Sequence, residues 1–181
     1  MNAGLRVFTA VEVVGLALWL ALVRAGHRLL GLLVLPVTFF VEHVIVYNVK
    51  RGTPRTRLDV PLEGIALNAV VETVVWVVWL LLWDLYPFAL FGVGVPAFAI
   101  LWLNVTLVLE HALTDNIFHG RPLGQHLWNP KVLGFSLVEA NGANVALGLV
   151  ALGPLGALLG LAVFAGSSYV EHRMALALAR T

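Results

Sequence analysis

The chain has 181 residues, of which 60% are hydrophobic and only 12% are charged, whereas a soluble domain usually carries about 25% charged residues. This composition is typical of an integral membrane protein, and the net charge of +1 gives no basic footprint for nucleic acid. The absence of cysteine excludes disulfides, thiolate metal sites and a cysteine nucleophile.

Six apolar stretches follow one another along the chain, and each is long enough to cross about 30 Å of hydrocarbon as a helix. The first lacks a small-residue cleavage site and is too long for a signal peptide, so we expect a retained helix. In the fourth, Gly92, Gly94 and Pro96 predict a kink or a later start. The sequence therefore predicts one all-α integral membrane domain over 1–181, with six transmembrane helices at 7–25, 29–49, 65–87, 88–116, 132–152 and 155–178.

The basic residues predict the orientation of the six spans. With an even number of spans, both termini lie on one side of the membrane. Only Arg24 and Arg28 fall on the opposite side. Because Lys and Arg concentrate in cytoplasmic loops, we expect a multi-pass cell-membrane protein with both termini in the cytoplasm. The basic residues on the side of the termini are Arg6, Lys50, Arg51, Arg55, Arg57, Arg121, Lys131, Arg173 and Arg180.

The even-numbered spans carry a repeated motif. The segment VTFFVEHVIVYNVKRGTP, 37–54, aligns without gaps to VTLVLEHALTDNIFHGRP, 105–122, and both contain an adjacent Glu-His pair. The sixth span holds a weaker copy, SSYVEHRMA, in which Ser167 stands where the first two copies have Thr38 and Thr106. The three pairs are Glu42-His43, Glu110-His111 and Glu171-His172.

The odd-numbered spans carry a simpler mark, a single glutamate in the triplets AVE, VVE and LVE. These glutamates are Glu12, Glu72 and Glu139, and their spacing is close to that of the Glu-His pairs. We infer three tandem helical hairpins with pseudo-threefold symmetry, at about 1–57, 58–122 and 123–181. Internal repeats of this kind often place a site at the repeat interface in membrane proteins.

All six of these glutamates are predicted at one depth, about 8–10 Å below the cytoplasmic surface at 1.5 Å per residue. Only Glu63, the seventh glutamate of the chain, falls outside this layer. Six ionised carboxylates facing one interior would repel one another, so either some remain protonated or metal cations neutralise them.

The three histidines favour bound metal cations over protonated glutamates. Carboxylate oxygen combined with imidazole nitrogen suits iron or manganese, with zinc as an alternative, whereas calcium and magnesium prefer all-oxygen ligands. We predict divalent or trivalent metal ions as the cofactor. The predicted ligands are Glu12, Glu42, His43, Glu72, Glu110, His111, Glu139, Glu171 and His172.

This ligand chemistry is similar to that of the di-iron carboxylate bundles of ferritin-like proteins, which combine single glutamates with Glu-x-x-His motifs. The present motif departs from theirs, because its Glu and His are adjacent and it occurs in three hairpins. Adjacent helical residues point about 100° apart. Each histidine therefore either ligates a metal itself or orients a ligand.

Several polar residues are predicted to support the ligands by hydrogen bonds. A hydroxyl side chain lies one helical turn before each Glu-His pair, and Asp115 lies four residues after His111, where it could orient the ring. The predicted supporting residues are Thr38, Thr106, Ser167, Asp115 and Asn68.

Five segments in the outer parts of the spans, LALWLALV, LLGLLVLP, WVVWLLLW, VALGLVALG and LGALLGLAVF, contain no ionisable group, so we expect the polar layer to open to one leaflet only. This pattern favours a membrane metalloenzyme with a di-iron or di-manganese site, whose substrate is a lipid, a quinone or an isoprenoid with its head at the metal layer. Oxidation, hydroxylation or desaturation is the first reaction class that we expect, and metal-assisted hydrolysis is the second. The alternatives are a proton- or divalent-cation-coupled transporter and a structural subunit of a membrane complex.

Overall fold

The computed structural model describes residues 3–54, 59–85, 88–90, 93–125 and 129–178. The predicted hairpin boundary at 57/58, together with Arg55, Arg57 and Arg180, lies outside them. The helices are α1 (Ala3–Arg24), α2 (Arg28–Arg51), α3 (Leu62–Leu85), α4 (Ala97–Phe118), α5 (Pro130–Val150) and α6 (Pro154–Leu178). Two short strands, β1 (Phe88–Leu90) and β2 (Val93–Val95), lie between α3 and α4.

All six helices are long and apolar enough to cross a membrane. Each packs against its neighbours in chain order, and α6 packs back against α1, so that the bundle closes into a ring. The helices α1, α3 and α5 begin at the end of the ring where α2, α4 and α6 terminate. Residues near this end of all six helices can therefore meet in the middle of the ring.

The fourth helix starts later than the apolar run that predicts it. Residues 88–95, which the sequence assigns to the fourth span, instead contain an antiparallel pairing of Phe88 with Val95 and of Leu90 with Val93. The helix begins at Ala97, directly after Pro96. Proline fits the first turn of a helix because its fixed φ is already helical, and it lacks only an N–H that would have no partner there.

The distribution of polarity in the bundle is consistent with that of a multi-pass membrane protein. Large apolar side chains such as Leu33, Val14 and Leu158 are exposed on the outside of the ring. The interior beyond the glutamate layer is an apolar core that includes the fully buried Leu35, Phe39 and Leu103. A soluble protein would expose far fewer apolar residues over so long a surface.

Two pairs of helices come close together where a glycine faces a hydroxyl side chain. A Cβ built on Gly15 of α1 would overlap the side chain of Thr38 on α2. In the same way, a Cβ on Gly142 of α5 would overlap Ser167 on α6. Small residues at such points let two helix backbones approach closely, as is common for helices packed in membranes.

Candidate metal centre

The nine glutamates and histidines predicted as ligands line one cavity, which we call the Glu/His chamber. Its volume is about 290 Å³. The six glutamates are buried, with 2–5% of their surface exposed. The chamber lies at the end of the ring where α1, α3 and α5 begin, and its lining residues from the predicted set are Glu12, Glu42, His43, Glu72, Glu110, His111, Glu139, Glu171 and His172.

The helix bounds explain why these side chains meet. Glu12, Glu72 and Glu139 lie nine or ten residues after the starts of α1, α3 and α5. The glutamates of the Glu-His pairs lie seven to nine residues before the ends of α2, α4 and α6. At 1.5 Å per residue, all six therefore sit about 10–15 Å from the helix ends, in one layer.

His43 of α2 faces three carboxylates. Its Nδ1 lies 3.4 Å from Glu42 Oε2 and 3.8 Å from Glu72 Oε2, while its Nε2 lies 3.9 Å from Glu110 Oε1. The amide of Asn68 donates to Nε2 over 2.9 Å and to Glu110 Oε1 over 2.6 Å. Glu42, His43 and Glu72 form a buried group that could hold a metal ion.

His111 of α4 also faces three carboxylates, through Nε2. This nitrogen lies 3.2 Å from Glu139 Oε2, 3.5 Å from Glu110 Oε2 and 3.9 Å from Glu171 Oε1. The other ring nitrogen, Nδ1, lies 2.8 Å from Ser136 Oγ. Because that hydroxyl donates its own proton to a backbone carbonyl, it accepts from Nδ1–H. Nε2 is therefore left to face the carboxylates.

His172 of α6 repeats the arrangement of His111. Its Nε2 lies 3.0 Å from Glu171 Oε2, 3.6 Å from Glu12 Oε2 and 3.6 Å from Glu42 Oε1. Its Nδ1 lies 2.9 Å from Thr9 Oγ1. Thr9 lies one turn before Glu12 on α1, and Ser136 lies one turn before Glu139 on α5. Each hydroxyl thus holds the Nδ1 atom of a histidine whose Nε2 faces the carboxylates.

Few groups in the structure offset the charge of these carboxylates. In the described parts of the chain, no lysine or arginine forms an ion pair with any of the six glutamates. Glu12 Oε2, Glu72 Oε2 and Glu171 Oε2 are buried and make no hydrogen bond. Buried carboxylate oxygens without a donor are costly, so this arrangement suits an added cation.

Comparisons with protein-family models, with curated proteins and with solved structures found no match. The chemistry of the chamber itself therefore carries the functional argument.

The five predicted supporting residues have different roles in the structure. Asn68 contacts two chamber residues, His43 and Glu110, as described above. The hydroxyls of Thr106 and Ser167 donate to carbonyls of their own helices, those of Trp102 and Phe164. The side chain of Thr38 also packs against Gly15, and that of Ser167 packs against Gly142.

Asp115 does not contact His111, which the sequence suggests that it could orient. Its carboxylate lies 3.2 Å from Arg121 Nη1 and 3.2 Å from His119 Nδ1. The orientation of His111 comes from Ser136 on the neighbouring helix instead.

Four polar residues that the sequence analysis did not single out contact the chamber residues. Ser136 and Thr9 hold the histidines, Thr114 donates to Glu110 Oε1 over 2.6 Å, and Ser168 lies 3.5 Å from Glu12 Oε1. A signal for the first two exists in the sequence. The segments FTAVE, 8–12, and FSLVE, 135–139, share a Phe and a hydroxyl ahead of the glutamate.

The mouth of the chamber is basic. Lys50, Arg121 and Lys131 line it together with His119 and Asp115. The Lys50 ammonium lies 4.8 Å from the centre of the Phe118 ring, at the end of α4. The mouth therefore presents positive charge at the entrance to an acidic interior.

A second cavity, of about 340 Å³, lies among α1, α3, α5 and α6 and is almost entirely apolar. Trp76 and Trp79 line it, as do Leu16, Leu161 and Phe164. Trp76 follows Glu72 by one turn of α3, so this cavity begins about one helical turn beyond the glutamate layer.

Proposed function

We propose that the chain is an integral membrane metalloprotein whose Glu/His chamber holds metal ions. The single observation that carries the proposal is the convergence of six buried carboxylates and three imidazoles on one cavity, with no ion-paired lysine or arginine among the described residues. Cations bound within the chamber would balance the charge and would give partners to the oxygens that lack them.

The donor set favours iron or manganese, with zinc as the alternative. Mixed carboxylate and imidazole ligands are those of redox-active iron and manganese sites, and zinc accepts the same atoms. The ligands His43, His111 and His172 would supply nitrogen, and the glutamates would supply oxygen and the charge balance.

The substrate that we propose is a lipid, a quinone or an isoprenoid. The two cavities support this, because a polar head would fit the Glu/His chamber while a hydrocarbon tail would fit the apolar cavity beyond Trp76. The reaction that we propose first is a metal-dependent oxidation, hydroxylation or desaturation, and the second is hydrolysis.

The interior argues against the transporter alternative. A carrier needs a polar route that continues past its binding site. Beyond the chamber, the core contains the fully buried Leu35, Phe39, Trp76 and Leu103. We therefore favour a chamber that opens at one end.

Elemental analysis of the purified full chain tests the metal. We expect at least one iron, manganese or zinc per chain, and a loss of most of it in Glu110→Ala. Glu63→Ala is the matched control, because Glu63 is an exposed glutamate in the first turn of α3. A metal content below about half an equivalent that Glu110→Ala leaves unchanged would refute the proposal.

Mass spectrometry of lipids that co-purify with the chain tests the tail cavity. Ala157→Trp would fill the apolar cavity, which Ala157 lines, so we expect it to lower the bound lipid several-fold. Val163→Trp is the control, because Val163 is exposed on the outside of the same helix. Equal lipid content in the two variants would count against a substrate tail in this cavity.

A further inference from the structure

The contacts of the chamber fall into three groups, one centred on each histidine. Each histidine faces the glutamate that precedes it, the glutamate of the next odd-numbered helix, and the glutamate of the next Glu-His pair. For His172, the next helices in the ring are α1 and α2, since the ring closes. The three groups are Glu42-His43-Glu72, Glu110-His111-Glu139 and Glu171-His172-Glu12.

From this pattern we propose that the Glu/His chamber holds three divalent cations, one in each of these groups, bridged by Glu42, Glu110 and Glu171. The proposal rests on the proposed metal function and specifies its stoichiometry and its ligands. It also gives the tandem hairpins a physical role, since each hairpin supplies one bridging carboxylate and one imidazole.

The distances from each histidine nitrogen to its carboxylate oxygens approach those of shared ions, and Glu42, His43 and Glu72 each offer one ligand atom within 4.8 Å of the others. Two ligands that each lie 2.0–2.2 Å from one ion are roughly 2.8–3.6 Å apart at tetrahedral or octahedral angles. The separations from each histidine nitrogen to its own group are 3.4 and 3.8 Å at His43, 3.5 and 3.2 Å at His111, and 3.0 and 3.6 Å at His172. Small side-chain movements would bring all three groups into bonding range.

The bridging glutamates present a different oxygen to each of two histidines. Glu171 turns Oε1 toward His111 and Oε2 toward His172. Glu110 turns Oε1 toward His43 and Oε2 toward His111. Glu42 completes the cycle, with Oε2 toward His43 and Oε1 toward His172. A carboxylate that offers one oxygen to each of two neighbouring ions is the usual bridge in metal clusters of this type.

Charge and volume agree with three ions. Six carboxylates balance three divalent cations, whereas two divalent cations leave two carboxylates uncompensated in a buried site. Two trivalent ions would balance the charge but could not occupy three groups. The chamber volume of about 290 Å³, which includes the space out to its basic mouth, leaves room for solvent or substrate beside the ions.

Several buried oxygen atoms in the chamber have no hydrogen-bond partner, which is an independent indication that they bind a cation. Glu72 Oε2 belongs to the His43 group, and Glu12 Oε2 and Glu171 Oε2 belong to the His172 group. Their side chains line the chamber and are 2–5% exposed. Asn68 Oδ1 is also buried without a hydrogen-bond donor, beside His43 and Glu110.

The His43 group differs from the other two, so we expect two equal metal sites and one distinct site. Phe8 and Phe135 contact the edges of His172 and His111, at 4.5 and 5.0 Å between ring centres. Asn68 occupies the corresponding position before Glu72, and its amide caps Nε2 of His43. The His43 distances to Glu42 and Glu72 are those of Nδ1, so a metal in this group has to displace the hydrogen bond from Nδ1–H to the carbonyl of Phe39.

Metal titration of the full chain in detergent, followed by native mass spectrometry and elemental analysis, tests the stoichiometry. We expect three Mn²⁺, Fe²⁺ or Zn²⁺ per chain at saturation, with two bound at similar affinity and the third at a different one. Saturation at one or two equivalents would overturn the three-ion proposal while leaving the metalloprotein intact. No bound metal would refute both.

Paired glutamine variants test the bridges, because glutamine keeps the size of glutamate and removes its charge. Glu171→Gln changes a bridging ligand, so we expect it to weaken two sites and leave about one metal per chain. Glu139→Gln changes a carboxylate that faces one histidine and should leave about two. Equal losses in the two variants, each with unchanged helical circular dichroism, would contradict the bridging arrangement.

Discussion

The three histidines of the chamber are held by different neighbours, and this determines how readily each can ligate a metal. Ser136 and Thr9 bind the far nitrogen of His111 and His172, and leave Nε2 facing the carboxylates. Groups that orient a ligating histidine typically affect metal affinity 10–100-fold. His43 has both nitrogens engaged, by the carbonyl of Phe39 at 2.7 Å and by Asn68.

Removing a supporting hydroxyl should therefore weaken the metal site. We expect Ser136→Ala and Thr9→Ala each to lower metal affinity by about 10–100-fold, because the histidine loses the group that fixes its ring. Isothermal titration with Mn²⁺ or Zn²⁺ measures this. Thr106→Ala is the control, since its hydroxyl only donates to the carbonyl of Trp102. An effect as large in Thr106→Ala would show that lost stability, and not histidine orientation, lowers the affinity.

For individual residues, the sequence predicts which side chains surround the chamber better than it predicts the hydrogen bonds among them. The glutamates and histidines stand out because ionisable residues are rare inside apolar spans. Serine and threonine are common in such helices, where they often bond to their own backbone, as Thr106 and Ser167 do. Ser136 and Thr9 differ from Thr106 and Ser167 only because a histidine ring of the neighbouring helix lies opposite them, and the sequence does not show this.

A contact between a glycine and a hydroxyl side chain joins α1 to α2 and α5 to α6, whereas at α3 and α4 the close glycine, Gly64, faces the apolar side chain of Ile117. Gly15 and Gly142 each lie three residues after a chamber glutamate and admit Thr38 and Ser167 of the partner helix. The corresponding residue of α3 is Val75, whose carbonyl accepts a hydrogen bond from Trp102 Nε1 over 3.0 Å. Helices α3 and α4 are therefore held together by different contacts.

Enlarging Gly142 should separate α5 from α6. We expect Gly142→Ala to destabilise the protein by about 1–3 kcal/mol, the usual cost of overpacking a tight contact, and to lower metal content by moving Glu139 away from Glu171. Gly148→Ala on the same helix is the control, because a Cβ there meets nothing within 4 Å. Thermal unfolding in detergent measures both variants, and equal melting temperatures would contradict the predicted overlap.

The apolar runs predict all six helices to within a few residues, except at the start of the fourth. There Gly94 and Pro96 predict a kink or a late start, of which the structure has the late start, and hydropathy cannot distinguish an apolar strand from an apolar helix. That the six glutamates share one layer is predictable from helix rise, but they lie about 10–15 Å from the helix ends and not about 8–10 Å, because most of the helices extend a few residues beyond the predicted spans. The sequence does not predict which helices touch, because neither hydropathy nor the repeat gives the order of the helices around the ring.

For the whole molecule, the orientation across the membrane remains a proposal that rests on the basic residues. Lys50, Arg121 and Lys131 lie at the chamber mouth, whereas Arg24 pairs with Asp84 near the opposite end of the bundle, at 2.9 Å. Under the positive-inside rule, the chamber then opens toward the cytoplasm.

Single-cysteine labelling tests this orientation, and the chain suits it because it contains no cysteine. We expect a membrane-impermeant thiol reagent on intact cells to label His27→Cys and not Lys131→Cys. Both positions are exposed in the structure, so both variants should react after the membrane is permeabilised, which serves as the control. The reverse pattern on intact cells would place the chamber mouth on the external side.

The closure of the ring by α6 against α1 has a consequence for biosynthesis. The ligands of the His43 group, Glu42, His43 and Glu72, lie on α2 and α3, so this group is complete when the ribosome has made about half of the chain. The His172 group joins Glu12, near the beginning of the nascent chain, to Glu171, near its end. If the chamber holds metal as we propose, a growing polypeptide would be able to capture its first ion before α5 and α6 are made, whereas full loading would have to wait until translation is almost finished.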